Sequence, residues 1–202
     1  MTNVKGLILK TVLITLSAIV ILAAATYLVF YLAFPKSLAK AYDDMGSSKI
    51  SVSLMERAYE KTGDTDDLIK LCNYAIKTGD NGVIAKHLEK LFIDSTFYDY
   101  SKNVDDGEGL YNFYAGKYLV ARFCTEGDKA AVIDRAFAIT KNYTAGNGVQ
   151  ALIVEILDGK PLDSQSLSYL YSQLTSKVGT FAPEEEVILQ VDIANVRQIL
   201  NG

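Results

Sequence analysis

From Thr11 to Phe34 the chain runs 24 residues without a charged side chain, most of them Leu, Ile, Val, Ala or aromatic. Nothing else in the sequence constrains the fold as tightly. A helix of that length rises about 36 Å, against a hydrocarbon layer about 30 Å thick. It also lacks the polar face that a surface helix of a soluble domain turns to water. Lys5 and Lys10 precede the run, and Pro35, Lys36 and Lys40 follow it. Tyr27, Phe30, Tyr31 and Phe34 gather in its last third, where amphipathic rings favour the headgroup layer. Ala23-Ala24-Ala25 has the small-residue pattern of a signal cleavage site, yet the apolar run continues to Phe34. That exceeds the core of about 7–15 residues typical of a secretory signal. The expectation is a retained transmembrane helix over 11–34 behind a short tail, 1–10. Lys and Arg nearly balance across the two flanks, so the short tail decides the orientation and favours an extracytoplasmic C-terminal domain.

Residues 35–202 carry 18 basic and 24 acidic side chains, a net charge of −6. Such a mildly acidic surface suits solubility and gives no attraction to anionic lipid or nucleic acid. A single histidine rules out a multi-histidine metal centre, and two cysteines rule out a four-thiolate zinc site. Apolar residues recur at helical spacing: Leu68, Leu71, Cys72, Ala75 and Ile76, then Ile84, His87, Leu88, Leu91 and Phe92, then Leu167, Leu170, Tyr171, Leu174 and Val178. No alternating stretch of useful length reads as a strand. Gly63 and Gly79 are placed to end helices in the left-handed conformation, and Asp64 and Asp80 to cap the next ones. Pro183 followed by Glu184, Glu185 and Glu186 marks a helix start. The fold class expected is all-α, with a single N-terminal transmembrane helix and further helices near 36–45, 49–62, 65–78, 81–93, 108–125, 128–141, 147–158, 164–178 and 183–200.

One tetrapeptide repeats. Lys61-Thr62-Gly63-Asp64 returns as Lys77-Thr78-Gly79-Asp80 after 16 residues, and Thr125-Glu126-Gly127-Asp128 follows 48 residues later. The apolar stripe keeps the same phase, with Leu68, Ile84 and Val132 equivalent, and likewise Cys72, Leu88 and Ala136. A helix of about 13 residues plus a short turn gives that period, and hairpins so formed need neighbours to cover their apolar faces. The stretch from Ala58 to Asp64, with Asp67-Leu68-Ile69 and Ala75-Ile76, resembles the inter-helix turn of the tetratricopeptide repeat family. The resemblance covers about residues 52–92 and 118–140. Glu56 and Leu68 stand where that family has its small pair, and Asp80 where it has its terminating proline. The resemblance implies an array of antiparallel helical hairpins, an α-solenoid, over 35–202.

Residues 94–109 interrupt the pattern as an acidic, aromatic loop with five acids and one lysine. Aromatics there either tuck onto neighbouring helices or meet a partner. Asp105, Asp106 and Glu108 lack the alternation of a calcium loop. Tyr111, Tyr114 and Tyr118 form a stripe that reads as core packing or, more sharply, as a binding ridge. Arg57 with Asn73, and Lys61 with Lys77, stand 16 apart and could line a surface that grips a carboxylate. His87 shares the phase of a packing residue, and Cys72 and Cys124 read as inert thiols on helices. Asn142-Tyr143-Thr144 is a glycosylation sequon. No P-loop, GxGxxG, GxSxG or CxxC is present.

The chain is therefore expected to be a membrane-tethered helical-repeat protein that binds another protein as scaffold or assembly factor, without catalysis or cofactors. Its partners would be the bilayer through 11–34 and an unidentified protein, with self-association a further option and no nucleic acid. The candidate partner-binding residues are Tyr98, Tyr100, Tyr111, Tyr114, Tyr118, Arg57, Lys61, Asn73 and Lys77. Two rival classes are a binder of a small or lipidic ligand between helices and a membrane-bound enzyme using carboxylates.

Overall fold

The computed structural model describes residues 4–159 and 162–201, with side chains from Gly6 onward. The first residues of the expected tail, 1–3, lie outside the described residues. Among those described, every regular element is helical and none is a strand. The chain divides into two compact units, Met1–Asp67 and Leu68–Gly202.

The first unit opens with α1 (Val4–Ala33), whose segment Gly6–Ala33 is long and apolar enough to cross a membrane, with a mean hydropathy of 2.5 and no residue buried in its most apolar stretch. Proline ends it. Phe34 leaves helical geometry, and Pro35, whose missing N–H costs nothing at a first turn, begins α2 (Pro35–Asp44). A turn through Gly46 leads to α3 (Ser48–Thr62), which packs on α2. The buried hydroxyl of Ser51 donates to the carbonyl of Ala39 at 2.8 Å across that hairpin. Asp67, only 1% exposed, accepts from Lys36 at 2.5 Å and from the Thr62 hydroxyl at 2.7 Å, so its charge is matched inside the unit.

The second unit takes most of α4 (Thr65–Lys77), then α5 (Asn81–Leu88), a 3-10 turn (Glu89–Phe92), α6 (Thr96–Ser101), α7 (Gly107–Thr125), α8 (Lys129–Ile139), α9 (Gly148–Leu157), α10 (Ser164–Ser176) and α11 (Pro183–Asn201). Its repeated apolar positions are inside: Leu68, Ile84 and Val132 on one phase, Cys72, Leu88 and Ala136 on the other. Gly63 and Gly79 end their helices at φ 63° and 67°. Asp80 then accepts from the amides of Gly82 and Val83, and Asp128 from that of Ala131. In both KTGD turns the threonine hydroxyl accepts from the following aspartate's amide. The third copy departs, because Glu126 is extended and Gly127 is not left-handed.

Helix α7 is the hub, in contact with α5, α6, α8 and α9. Phe92 stacks on Tyr118 at 5.3 Å and meets Tyr111 edge-on at 5.5 Å, while Phe97 lies against Tyr111 and Tyr114, each at 5.7 Å. The other face of α7 approaches α9 closely, since a Cβ on Gly148 would sit 2.5 Å from Leu119. Two expectations change. Residues 94–109 are not one loop, because Asp94 accepts from the amide of Thr96 and Phe97 is buried, which starts α6 inside it. The helix expected over 128–141 stops at Ile139, because Tyr143 is drawn fully into the core.

Tyr143 donates to Asp192 at 2.8 Å, and Gln150 donates to the same carboxylate at 3.4 Å, joining α9, α11 and the segment between α8 and α9. Burial raises the Asp192 carboxyl above its ordinary value despite the lowering effect of both bonds. The native state thus keeps this proton where the unfolded chain has released it. The group's contribution to stability is whole below the ordinary carboxyl value, about 4, and is lost as pH climbs through the raised native one. Asp192→Asn is expected to flatten that loss in thermal melts followed by circular dichroism in detergent across a pH series. Tyr143→Phe, which leaves the carboxylate one long bond, should cost about 1–3 kcal/mol in the same melts near neutral pH.

Candidate functional site

A groove of about 250 Å³ lies in the second unit where α6, the start of α7 and the segment after α8 converge. Its floor is aromatic. Tyr111 is buried, its hydroxyl donates to the carbonyl of Ile139 at 2.8 Å, and Tyr98 leans on it edge-on at 5.4 Å. Burial pushes the Tyr111 phenol up to about 12, so it stays a neutral donor at physiological pH. The rim is cationic on one side. Lys102 and Lys141 both lie over the Tyr98 ring, with Nζ 4.1 Å and 5.5 Å from its centroid. Lys102 also pairs with Asp99 at 3.2 Å, whereas Lys141 makes no ion pair among the described residues. Asn112 and Asn142 line the groove as amides, and Glu108 is held back by accepting from Thr144 at 2.6 Å.

The turn that shapes this groove is tight. Asp106 sits at φ 50°, unusual for a residue with a Cβ, immediately before α7. A Cβ on Gly107 would collide with the carbonyl of Ser101, so only glycine fits there. Tyr98 lies on α6 and Lys102 caps its end four residues on, and Glu108, Tyr111 and Asn112 share one face of α7. Among the described residues no group of three or more His, Cys, Asp or Glu could hold a metal ion, and Asp105, Asp106 and Glu108 do not form one.

The other residues singled out from the sequence are scattered. Tyr114 and Tyr118 are buried beside Tyr111, with Tyr114 donating to Asn73 at 2.7 Å and Tyr118 accepting from Arg122 at 3.3 Å. Their area is committed to the core. Tyr100 stacks on Phe97 and is half-buried. Lys77 lies over Tyr74 in the second unit, while Arg57 and Lys61 belong to the first, where they engage the end of α1. Cys72 is buried and its thiol is pushed up to about 12 by that burial; Cys124 is exposed, and the two are not bonded. His87 is 2% exposed.

A second hollow of about 560 Å³ lies between the starts of α8 and α10, lined by Asp128, Lys129, Asp163, Ser166 and Tyr169. Both of its aspartates are occupied as helix caps, and the bonds from Ser166 hold Asp163 below its usual value. Asp192, the acid held above its usual value, lines neither hollow.

Lys141, Asn112 and Asn142 were not legible as a site in the sequence. Lys102 had a signal, four residues after Tyr98, whereas Lys141 lies 43 residues from its aromatic neighbour and no local pattern joins them. A carboxylate probe peptide is the natural test of the groove. Lys141→Glu is expected to weaken its binding at least about tenfold in nanodisc-held protein, since a like charge replaces an attractive one, with little change in melting temperature. No family model, curated protein or solved structure matches this chain.

Proposed function

We propose that this chain is a membrane-tethered helical adaptor. In this reading α1 stays attached as a single-pass anchor, the helices after it form a tetratricopeptide-like array, and the groove beside Tyr98 receives an acidic segment of a partner protein. The observation that carries it is the groove itself: a lysine with no ion pair among the described residues and a tyrosine platform, with the exposed Asn142 beside them and Asn112 donating to Thr144 at 3.2 Å. At about 250 Å³ it lies below the usual range of small-molecule pockets, about 300–1,000 Å³, and suits one or two side chains.

Retention of α1 is supported by the length of its apolar run, which continues past Ala23-Ala24-Ala25 to Phe34. Arg57 lies 4.5 Å from the Tyr31 ring and Lys61 donates to the carbonyl of Leu32 at 2.6 Å. These contacts tie the end of α1 to α3. The array reading is supported by second-neighbour packing, in which α5 meets α7, α7 meets α9, α8 meets α10 and α9 meets α11.

The rival with a structural foothold is a small ligand held between α8 and α10. Ligand-dependent thermal shifts that vanish with Ser166→Ala, and not with Lys141→Glu, would favour it. For the adaptor, a photo-crosslinking residue at Asn142 in intact membranes should yield a discrete protein adduct, reduced several-fold by Lys141→Glu. Alkaline extraction should leave the whole chain in the pellet, and a chain lacking residues 1–34 in the supernatant. Crosslinking without any adduct, or full-length chain washed free, would refute the proposal.

A further inference from the structure

The first unit carries a second binding feature, at the end of the membrane helix. Arg57 and Lys61 stand four residues apart on α3 and so share one face. Lys61 Nζ donates to the Leu32 carbonyl at 2.6 Å, and the Arg57 guanidinium lies over the Tyr31 ring at 4.5 Å. Tyr31 and Leu32 belong to the last turn of α1. Both cations are therefore pinned where hydrocarbon gives way to headgroups, a layer roughly 5–8 Å deep on each side of a bilayer.

Charge matching separates these two from their neighbours. Lys36 pairs with the buried Asp67, and Lys40 pairs with Asp44 at 2.8 Å. Arg57 and Lys61 make no ion pair among the described residues. The Nε of Arg57 is buried without a hydrogen-bond acceptor, a costly state for a donor. Glu56 is turned about 100° round the helix from Arg57 and Glu60 about 100° from Lys61, while Glu60, three residues after Arg57, lies about 60° from it. A stacked guanidinium holds its plane fixed, and its donors match two oxygens of one phosphate, while a lysine adds a point charge. Beside them Leu28, Phe30 and Phe34 are exposed at 54%, 46% and 54%, an apolar surface for acyl chains.

We infer that Arg57 and Lys61 bind the phosphate of an anionic glycerophospholipid at the membrane exit of α1. The inference rests on the reading of α1 as a retained anchor. A phosphate is the shared chemistry of two sources, a lipid headgroup and the free anion, and the neighbouring apolar surface selects the lipid.

The test uses the full chain in nanodiscs of phosphatidylcholine, alone or mixed with phosphatidylglycerol, with lipids retained on the protein counted by native mass spectrometry. The wild-type chain should retain phosphatidylglycerol in preference to phosphatidylcholine. Arg57→Gln and Lys61→Gln should each lower that preference about fivefold, the usual effect of one basic residue near an anionic surface. Arg57→Lys should recover part of it, and Lys49→Gln, some 18 Å along α3 from Lys61, should leave it unchanged. Equal retention of the two lipids by the wild-type chain would overturn the inference, and needs no variant to fold. So would displacement of phosphatidylglycerol by millimolar inorganic phosphate, which would make the site one for the free anion. Alkaline extraction of the same preparation tells the two failures apart: a chain that washes off loses its anchor, while a chain that stays without lipid preference loses only this site.

Discussion

The burial of three tyrosines along one edge of α7 against Phe92 and Phe97 is the constraint on which the second unit depends. Each ring removes a large apolar area from water, and the cluster adds stacked and edge-on contacts to that transfer. Because Tyr111 and Tyr114 also find acceptors in Ile139 and Asn73, the cluster leaves neither hydroxyl unsatisfied. Four other helices pack on α7, so its rotation about its own axis sets their places. The groove inherits that order: its floor is a core residue, Tyr111, and its adjustable parts are the lysines at the rim.

Two buried carboxylates are accommodated by different partners. Asp67 has an ammonium at 2.5 Å and a hydroxyl at 2.7 Å, so a full positive charge offsets its desolvation. Asp192 has a phenol and an amide, both neutral. Neutral donors ease the burial of a carboxylate without cancelling it, which is why the Asp192 carboxyl stands above its ordinary value. The first arrangement fastens α2 to the end of its unit, and the second closes α9 against α11.

Much of the helix plan was readable because the 3.6-residue stripe, glycine stops and aspartate caps act locally. Leu68, Ile84 and Val132 point inward as their shared phase requires, and Pro183 with its three glutamates starts α11. What escaped were outcomes of tertiary competition. Six residues of α6 are too few for periodicity to register, and they are helical because Phe97 is anchored in the aromatic core. Val178 continues the stripe of Leu167, Leu170 and Leu174, yet lies beyond the end of α10 and is exposed. The tyrosine stripe was legible as a stripe, with core packing the default reading and a binding ridge the sharper one, since spacing identifies a face and not what covers it. The groove was hidden for a related reason: it joins α6 to a residue after α8.

The sequon Asn142-Tyr143-Thr144 illustrates how a folded context overrides a sequence motif. Its central ring is sealed in the interior, and its threonine hydroxyl is engaged with Glu108. An oligosaccharide transferred to Asn142 would have to be added to the nascent chain, before these contacts close. Production in a eukaryotic secretory host would then place a sugar tree at the mouth of the groove, whereas bacterial material would leave that doorway open.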